Sequence, residues 1–187
     1  VTTPGGLALS DGLWALAILG AIWILSRTQG FDWLDYGWRG AHRGLLLTCG
    51  AASGLVLMSL LMAALVLAHG AAVDVGVRDL GTAIASGSAW AAAFAVLALA
   101  EEGTFRGFPF LRAAERFGPR AAFVLTSLFF GGAHLGNQGE NAIGLAQVVA
   151  FGLVCCLAVW RTGSLWWVLG FHAAWDWCES FLFGTAD

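Results

Sequence analysis

The apolar residues of this chain fall into long runs, and the polar residues that separate them are few and clustered. A bilayer core about 30 Å thick takes about 20 apolar residues of helix to cross, at about 1.5 Å per residue. Six stretches are read as such spans: Leu7–Leu25, Gly44–Ala68, Thr82–Ala100 running on through two glutamates, Arg120–Leu135, Ala142–Trp160 and Ser164–Phe183. The fourth is the shortest. Between the third and fourth, Phe110 to Phe117 mixes Arg112, Glu115 and Arg116 with apolar residues. That pattern predicts a short interfacial helix, entered at Pro109 and left at Gly118-Pro119. The expected fold is an all-α polytopic transmembrane helix bundle of about six spans, one domain over residues 1–187.

Composition agrees with the pattern. The 187 residues are 59% hydrophobic and 11% charged, with a mean hydropathy of +0.78. So few charges could not clothe a soluble surface, where about 25% is ordinary. The net charge of −3 and the lack of a basic stripe leave nucleic acid out as a partner. Cys49, Cys155, Cys156 and Cys178 all lie in apolar stretches without a CxxC spacing, and are read as small buried apolar residues. The chain opens on Val1 rather than Met, as a fragment or a trimmed chain would, which leaves room for helices upstream. The run from Leu7 to Leu25 is too long for a signal-peptide core and has no basic stretch before it, so it is read as a span.

The loops carry an orientation. The first, third and fifth hold Arg27, Arg39, Arg43, then Arg106, Arg112, Arg116, Arg120, then Arg161; the second holds only Arg78 and the fourth none. The positive-inside rule therefore puts the odd-numbered loops in the cytoplasm, with the bacterial cytoplasmic membrane as the expected location. Trp23, Trp33, Trp38, Trp160, Trp166 and Trp167 fall near that face, as interfacial anchors would. Gly50 and Gly54 form a GxxxG pattern in the second span, and close packing inside the molecule is expected of it.

Against this background, ionisable groups inside spans are informative, because each costs about 2.5–3.5 kcal/mol to insert. Three clusters stand out: Glu101-Glu102 with Arg106, His134, and His172 with Asp176. Residues four apart share a helix face, so Glu102 can pair with Arg106, and Asp176 can orient His172. Glu101, rotated about 100° from Glu102, is left free to bind water as a general base. Each cluster alone has an ordinary alternative, a helix end or a hydrogen-bonded packing residue. Together they supply the parts needed to polarise a water, and equally a ligand set for a divalent metal. Depth is permissive: His134 lies roughly 21 Å from Arg120, and His172 roughly 17 Å from Arg161. Glu101 matches that depth only if the chain stays helical past Pro109. His42 and His69, in or beside loops, are left out; Glu140 and Glu179 are assigned to solvated outer ends.

At these residues the sequence resembles the CPBP family of intramembrane proteases, which includes CAAX endopeptidases and bacteriocin-immunity proteins. The family's motifs EExxxR, FxxxH and HxxxN or HxxxD read here as Glu101-Glu102-Gly103-Thr104-Phe105-Arg106, Phe130-Gly131-Gly132-Ala133-His134 and His172-Ala173-Ala174-Trp175-Asp176. The resemblance covers about residues 97–183, with a motif-bearing protease core expected over about 82–183. It implies hydrolysis of a peptide bond in a membrane-associated or membrane-embedded substrate. By position, Glu101 would be the general base and His134 would help hold the attacking water. His172 and Asp176 would stabilise the oxyanion, and Glu102 and Arg106 would support the site. A zinc-type metal held by Glu101, His134 and His172 is one form of this chemistry. The metal-free form is preferred, since no HExxH helix presets two ligands. Asp176 departs from the asparagine of the prenyl-protein processing members; an ionised carboxylate cannot donate to an oxyanion, so orienting His172 is its alternative role. Two further hypotheses stand beside the protease: a non-catalytic immunity or scaffold protein using the cluster for helix packing, and a transporter using it as a proton relay.

Overall fold

The computed structural model describes residues 3–72, 76, 79–137 and 141–184; Arg78 and Glu140 lie outside them. The described residues contain helices and no strands. The helices are α1 (Pro4–Gln29), α2 (Arg43–Leu67), α3 (Leu80–Phe105), α4 (Phe108–Phe117), α5 (Pro119–Ala133), α6 (Ala142–Thr162) and α7 (Trp166–Asp176). A 3-10 turn, Trp33–Asp35, precedes α2, and a π turn, Trp177–Leu182, prolongs α7. All six expected spans and the short helix are thus present as helices.

Local chemistry marks their ends. Thr3 accepts the Gly6 N–H ahead of Pro4, Asp79 accepts the Thr82 N–H, and Asn141 accepts from Ile143 and Gly144. Gly30 and Gly163 close α1 and α6 in the left-handed conformation. The Thr82 bond holds the exposed Asp79 carboxyl below the usual carboxylate range.

Four segments are long and apolar enough to cross a membrane: Pro4–Gln29, Arg43–Leu67, Leu80–Phe117 and Ala142–Thr162, with only 11–28% of their apolar windows buried inside the protein. The rest faces outward, as lipid-facing helices must. The 15 residues of α5 and the 11 of α7 fall short of a full crossing. Instead of one regular helix to Phe183, the last stretch changes to π geometry after Asp176. Such turns recur at functional sites.

α7 is the buried centre. It packs on α2, α3 and α6, and Val168, Leu169, Gly170, Phe171 and His172 are buried in succession. The contact with α2 is backbone on backbone. A Cβ on Gly50 would collide with the Trp167 carbonyl, one on Gly54 with that of Phe171, and one on Gly170 with that of Leu47. The GxxxG pattern therefore works inside this molecule, letting α7 approach α2 where any side chain would hold it off. The first loop closes on the start of α7. Leu165 N–H donates to the Gly37 carbonyl at 2.8 Å, and the Trp166 indole to the Trp38 carbonyl at 3.0 Å. Trp38 is consequently buried, a core residue rather than the interfacial anchor expected of it, whereas Trp23 and Trp160 are exposed. Cys155, Cys156 and Cys178 are buried free thiols, while Cys49 is exposed on α2.

Candidate active site

α3 ends where its sequence stops supplying donors. Pro109 has no N–H to offer the Phe105 carbonyl, so the ladder breaks at Arg106-Gly107, whose two N–H groups both donate to the Glu102 carbonyl at 2.9 Å. The helix restarts at Phe108, since proline is tolerated in a first turn. The single helix past Pro109 that Glu101's depth required is therefore interrupted at Arg106-Gly107, with a second helix resuming at Phe108. α4 buries Phe110 and Ala114 against α5 and carries an exposed Arg112–Glu115 ion pair of 2.7 Å on its other side.

The break sets the acidic pair inside the protein. Glu102 and Arg106 are completely buried and paired at 3.0 Å, as their spacing predicts. Glu102 Oε1 also accepts a 2.6 Å hydrogen bond from His172 Nδ1 on α7. A carboxylate held by a guanidinium has no hydrogen to give, so Nδ1 supplies it. The other ring nitrogen, Nε2, lies 3.3 Å from Asp176 Oδ2 and 3.7 Å from Glu101 Oε2. Three carboxylates from two helices thus surround one imidazole. Glu101 is mostly buried, with 13% of its side chain exposed, and its Oε2 makes no hydrogen bond.

His134 follows the last residue of α5, half-buried, with Nδ1 2.8 Å from the Phe130 carbonyl. A carbonyl only accepts, so Nδ1 carries the hydrogen and Nε2 of the neutral ring presents a lone pair. The link from His134 to the other polar groups is aromatic. The Phe130 ring lies 4.6 Å from the His134 ring, 6.2 Å from His172 and 3.8 Å from the Arg106 guanidinium carbon. The structure therefore joins Glu101, Glu102, Arg106, His172 and Asp176 directly, and holds His134 one aromatic ring away, within electrostatic reach of Glu101. Beside it, an apolar groove of about 570 Å³ runs between Phe105 and the outer face of α5, ending at Gly132 and Ala133.

Several contributors carry no signal in the sequence. Phe151 stacks edge-on to His172 at 5.0 Å, yet reads as one more apolar residue of a span. The Glu102–His172 bond joins positions 70 apart, and no local spacing announces it. Glu179, expected at a solvated outer end, is half-buried and accepts the indole of Trp175, four residues earlier, at 3.1 Å. His42 and His69 are exposed in left-handed loop positions.

Among the described residues no three His, Cys, Asp or Glu side chains are gathered as ligands would be. Nδ1 of His172 and of His134 are engaged by Glu102 and by the Phe130 carbonyl, which leaves Nε2 as the nitrogen each ring could offer a ligand or a water.

The family whose model matches is that of the Rce1-like type II CAAX prenyl endopeptidases, over residues 84–178, which takes in all three motifs. The chain belongs to this family. No curated protein and no solved structure matches it. Membership of the Rce1-like group and the apolar helices make this an integral membrane protein, and the family implies an intramembrane endopeptidase. In an Rce1-like frame, the second glutamate of EExxxR meets the arginine and the histidine of HxxxD together, while the first is left facing that histidine's far nitrogen.

Proposed function

We propose that this protein hydrolyses a peptide bond of a membrane-embedded or membrane-associated substrate with a water activated by Glu101 and His134. The observation that carries this reading is the Glu101 carboxylate. Buried polar atoms are normally satisfied; Glu102 is held through Oε1 by both Arg106 and His172, although its Oε2 is unbonded. Glu101 Oε2 is unbonded as well, with no guanidinium beside it, and lies 3.7 Å from His172 Nε2. In the reaction Glu101 takes a proton from the water, whose oxygen attacks the scissile carbonyl carbon. The π pair moves to the carbonyl oxygen, toward the His172 imidazole. Collapse of the tetrahedral species breaks the carbon–nitrogen bond, and Glu101 returns the proton to the leaving amine. Asp176 orients His172, and Glu102 with Arg106 fixes the opposite edge of the ring. The reading takes the metal-free form, since the motifs contain no HExxH helix that presets two ligands, and does not extend to a prenyl requirement. The arginine-rich odd-numbered loops support a cytoplasmic placement for them.

The test uses purified protein in lipid vesicles with a quenched membrane-embedded peptide library. Glu101→Ala and His134→Ala should each abolish cleavage while the melting temperature holds. Unchanged turnover in either variant sinks the assignment. Chelation followed by zinc addition discriminates the metal form: activity lost and then restored would replace the metal-free one. The non-catalytic scaffold reading makes the opposite prediction, that Glu101→Gln lowers stability and leaves partner binding intact in whatever folds.

A further inference from the structure

Arg106 is fully buried, yet its guanidinium makes a single hydrogen bond, from Nη1 to Glu102; Nε and Nη2 make none. One bond leaves a planar cation free to swing about it, so shape has to fix its orientation. The Phe130 ring covers the cation at 3.8 Å. A second surface comes from two residues outside all three motifs, Gly152 in the middle of α6 and Ser127 on α5. A Cβ on Gly152 would stand 3.2 Å from Arg106 Nη2, 3.2 Å from Ser127 Cβ and 3.3 Å from Ser127 Cα. Those distances are tighter than ordinary carbon contacts. Moving the guanidinium relieves only the first of these contacts, so the Arg106 head and the α5 backbone at Ser127 must both give by a few tenths of an ångström. Ser127 is itself fully buried beside the Cys156 thiol, and its hydroxyl makes no hydrogen bond of ordinary geometry. A helix interior disfavours glycine relative to alanine, and a glycine found there calls for a packing reason. The guanidinium head supplies one.

We propose that Gly152 and Ser127 are positioning residues for the reaction: they form the wall that sets the Arg106 guanidinium and, through Glu102, the His172 imidazole, so that Nε2 faces Glu101. This rests on the endopeptidase reading, and its test can be separated from that one. In Gly152→Ala, kcat should fall about tenfold with KM within about twofold, because a few tenths of an ångström at a catalytic group act on the transition state rather than on binding. The pH profile of kcat should shift with it. So should the titration of the His172 imidazole, followed by nitrogen NMR in micelles, a readout that needs no turnover. Adding Ser127→Gly, which removes the Cβ that the new methyl meets, should recover most of the lost rate. Ser127→Ala, which keeps that Cβ, should stay within about twofold of wild type. Where Gly152→Ala does not fold, Ser127→Thr crowds the same wall from α5 and should give the same signature. A wild-type kcat and imidazole titration in the crowded variants overturns the proposal, as does a fall in kcat with the His172 titration unmoved. An inactive wild type would count against the endopeptidase reading alone, with the NMR comparison still deciding this one.

Discussion

α1 and α7 are both apolar helices, and they solve opposite problems. α1 runs 26 residues and buries only Ala15, Ile22 and Ser26; Leu9, Leu13 and Leu16 are 60–70% exposed, as lipid-facing side chains. α7 runs 11 residues, buries five in a row, and carries His172. A helix whose solvent is lipid has to be long and uniformly apolar, because nothing else satisfies its surroundings. A helix wrapped in protein is free to be short and can hold a charged cluster, since neighbours supply the partners. The imidazole on which the cluster converges therefore sits on a helix too short to stand out as a span, while its carboxylate partners Glu101 and Glu102 come from a long one.

If that contrast is right, substitutions should grade steeply from the centre outward. The largest effect belongs to Glu101→Gln. It removes the general base while keeping the shape, and kcat should drop by about 10² to 10⁴ with stability nearly unchanged. Next comes Arg106→Ala, which strands the Glu102 charge in a fully buried site and should cost about 3–5 kcal/mol in a reversible unfolding titration. The double change Glu102→Leu with Arg106→Met should return most of that stability and none of the activity. If the double variant stays as unstable as the single, the stranded charge is not the cause. Gly170→Ala wedges a methyl between the α2 and α7 backbones and should cost about 1–3 kcal/mol, read as a lowered melting temperature. At the far end, Leu16→Ala on α1 should stay within about 0.5 kcal/mol, because that side chain exchanges lipid for lipid. A large loss there would mean that the Leu16 face of α1, and not only its face on α3, packs on something, and would break the comparison.

The same contrast explains which parts were legible before the structure. Spans appear in sequence as runs, so every helix was recognisable, as were the break at Pro109, the Glu102–Arg106 pair and the close packing at Gly50 and Gly54. These features depend on neighbours at most four residues away. What escaped depends on distant ones. The hydrogen bond of Glu102 to His172 joins α3 to α7, and Trp38 reads as an anchor until the first loop is seen folded onto Leu165 and Trp166. Ser127 and Gly152 are ordinary residues of apolar spans until the Arg106 head is placed between them. The shortness of α7 as a regular helix was hidden because the π turn keeps the same composition.

The 70 positions between Glu102 and His172 also set an order of events during synthesis. α3 enters the membrane with Glu102 and Arg106 already able to neutralise each other, so of its two glutamates only Glu101 is carried in without a cation beside it. The His172 imidazole arrives only with α7, and it can seat only after α7 has slid against the glycines of α2. Until then Glu101 and Glu102 have at most His134 near them. A ribosome-bound chain that stops short of α7 would hold a half-site without the ring that joins its carboxylates.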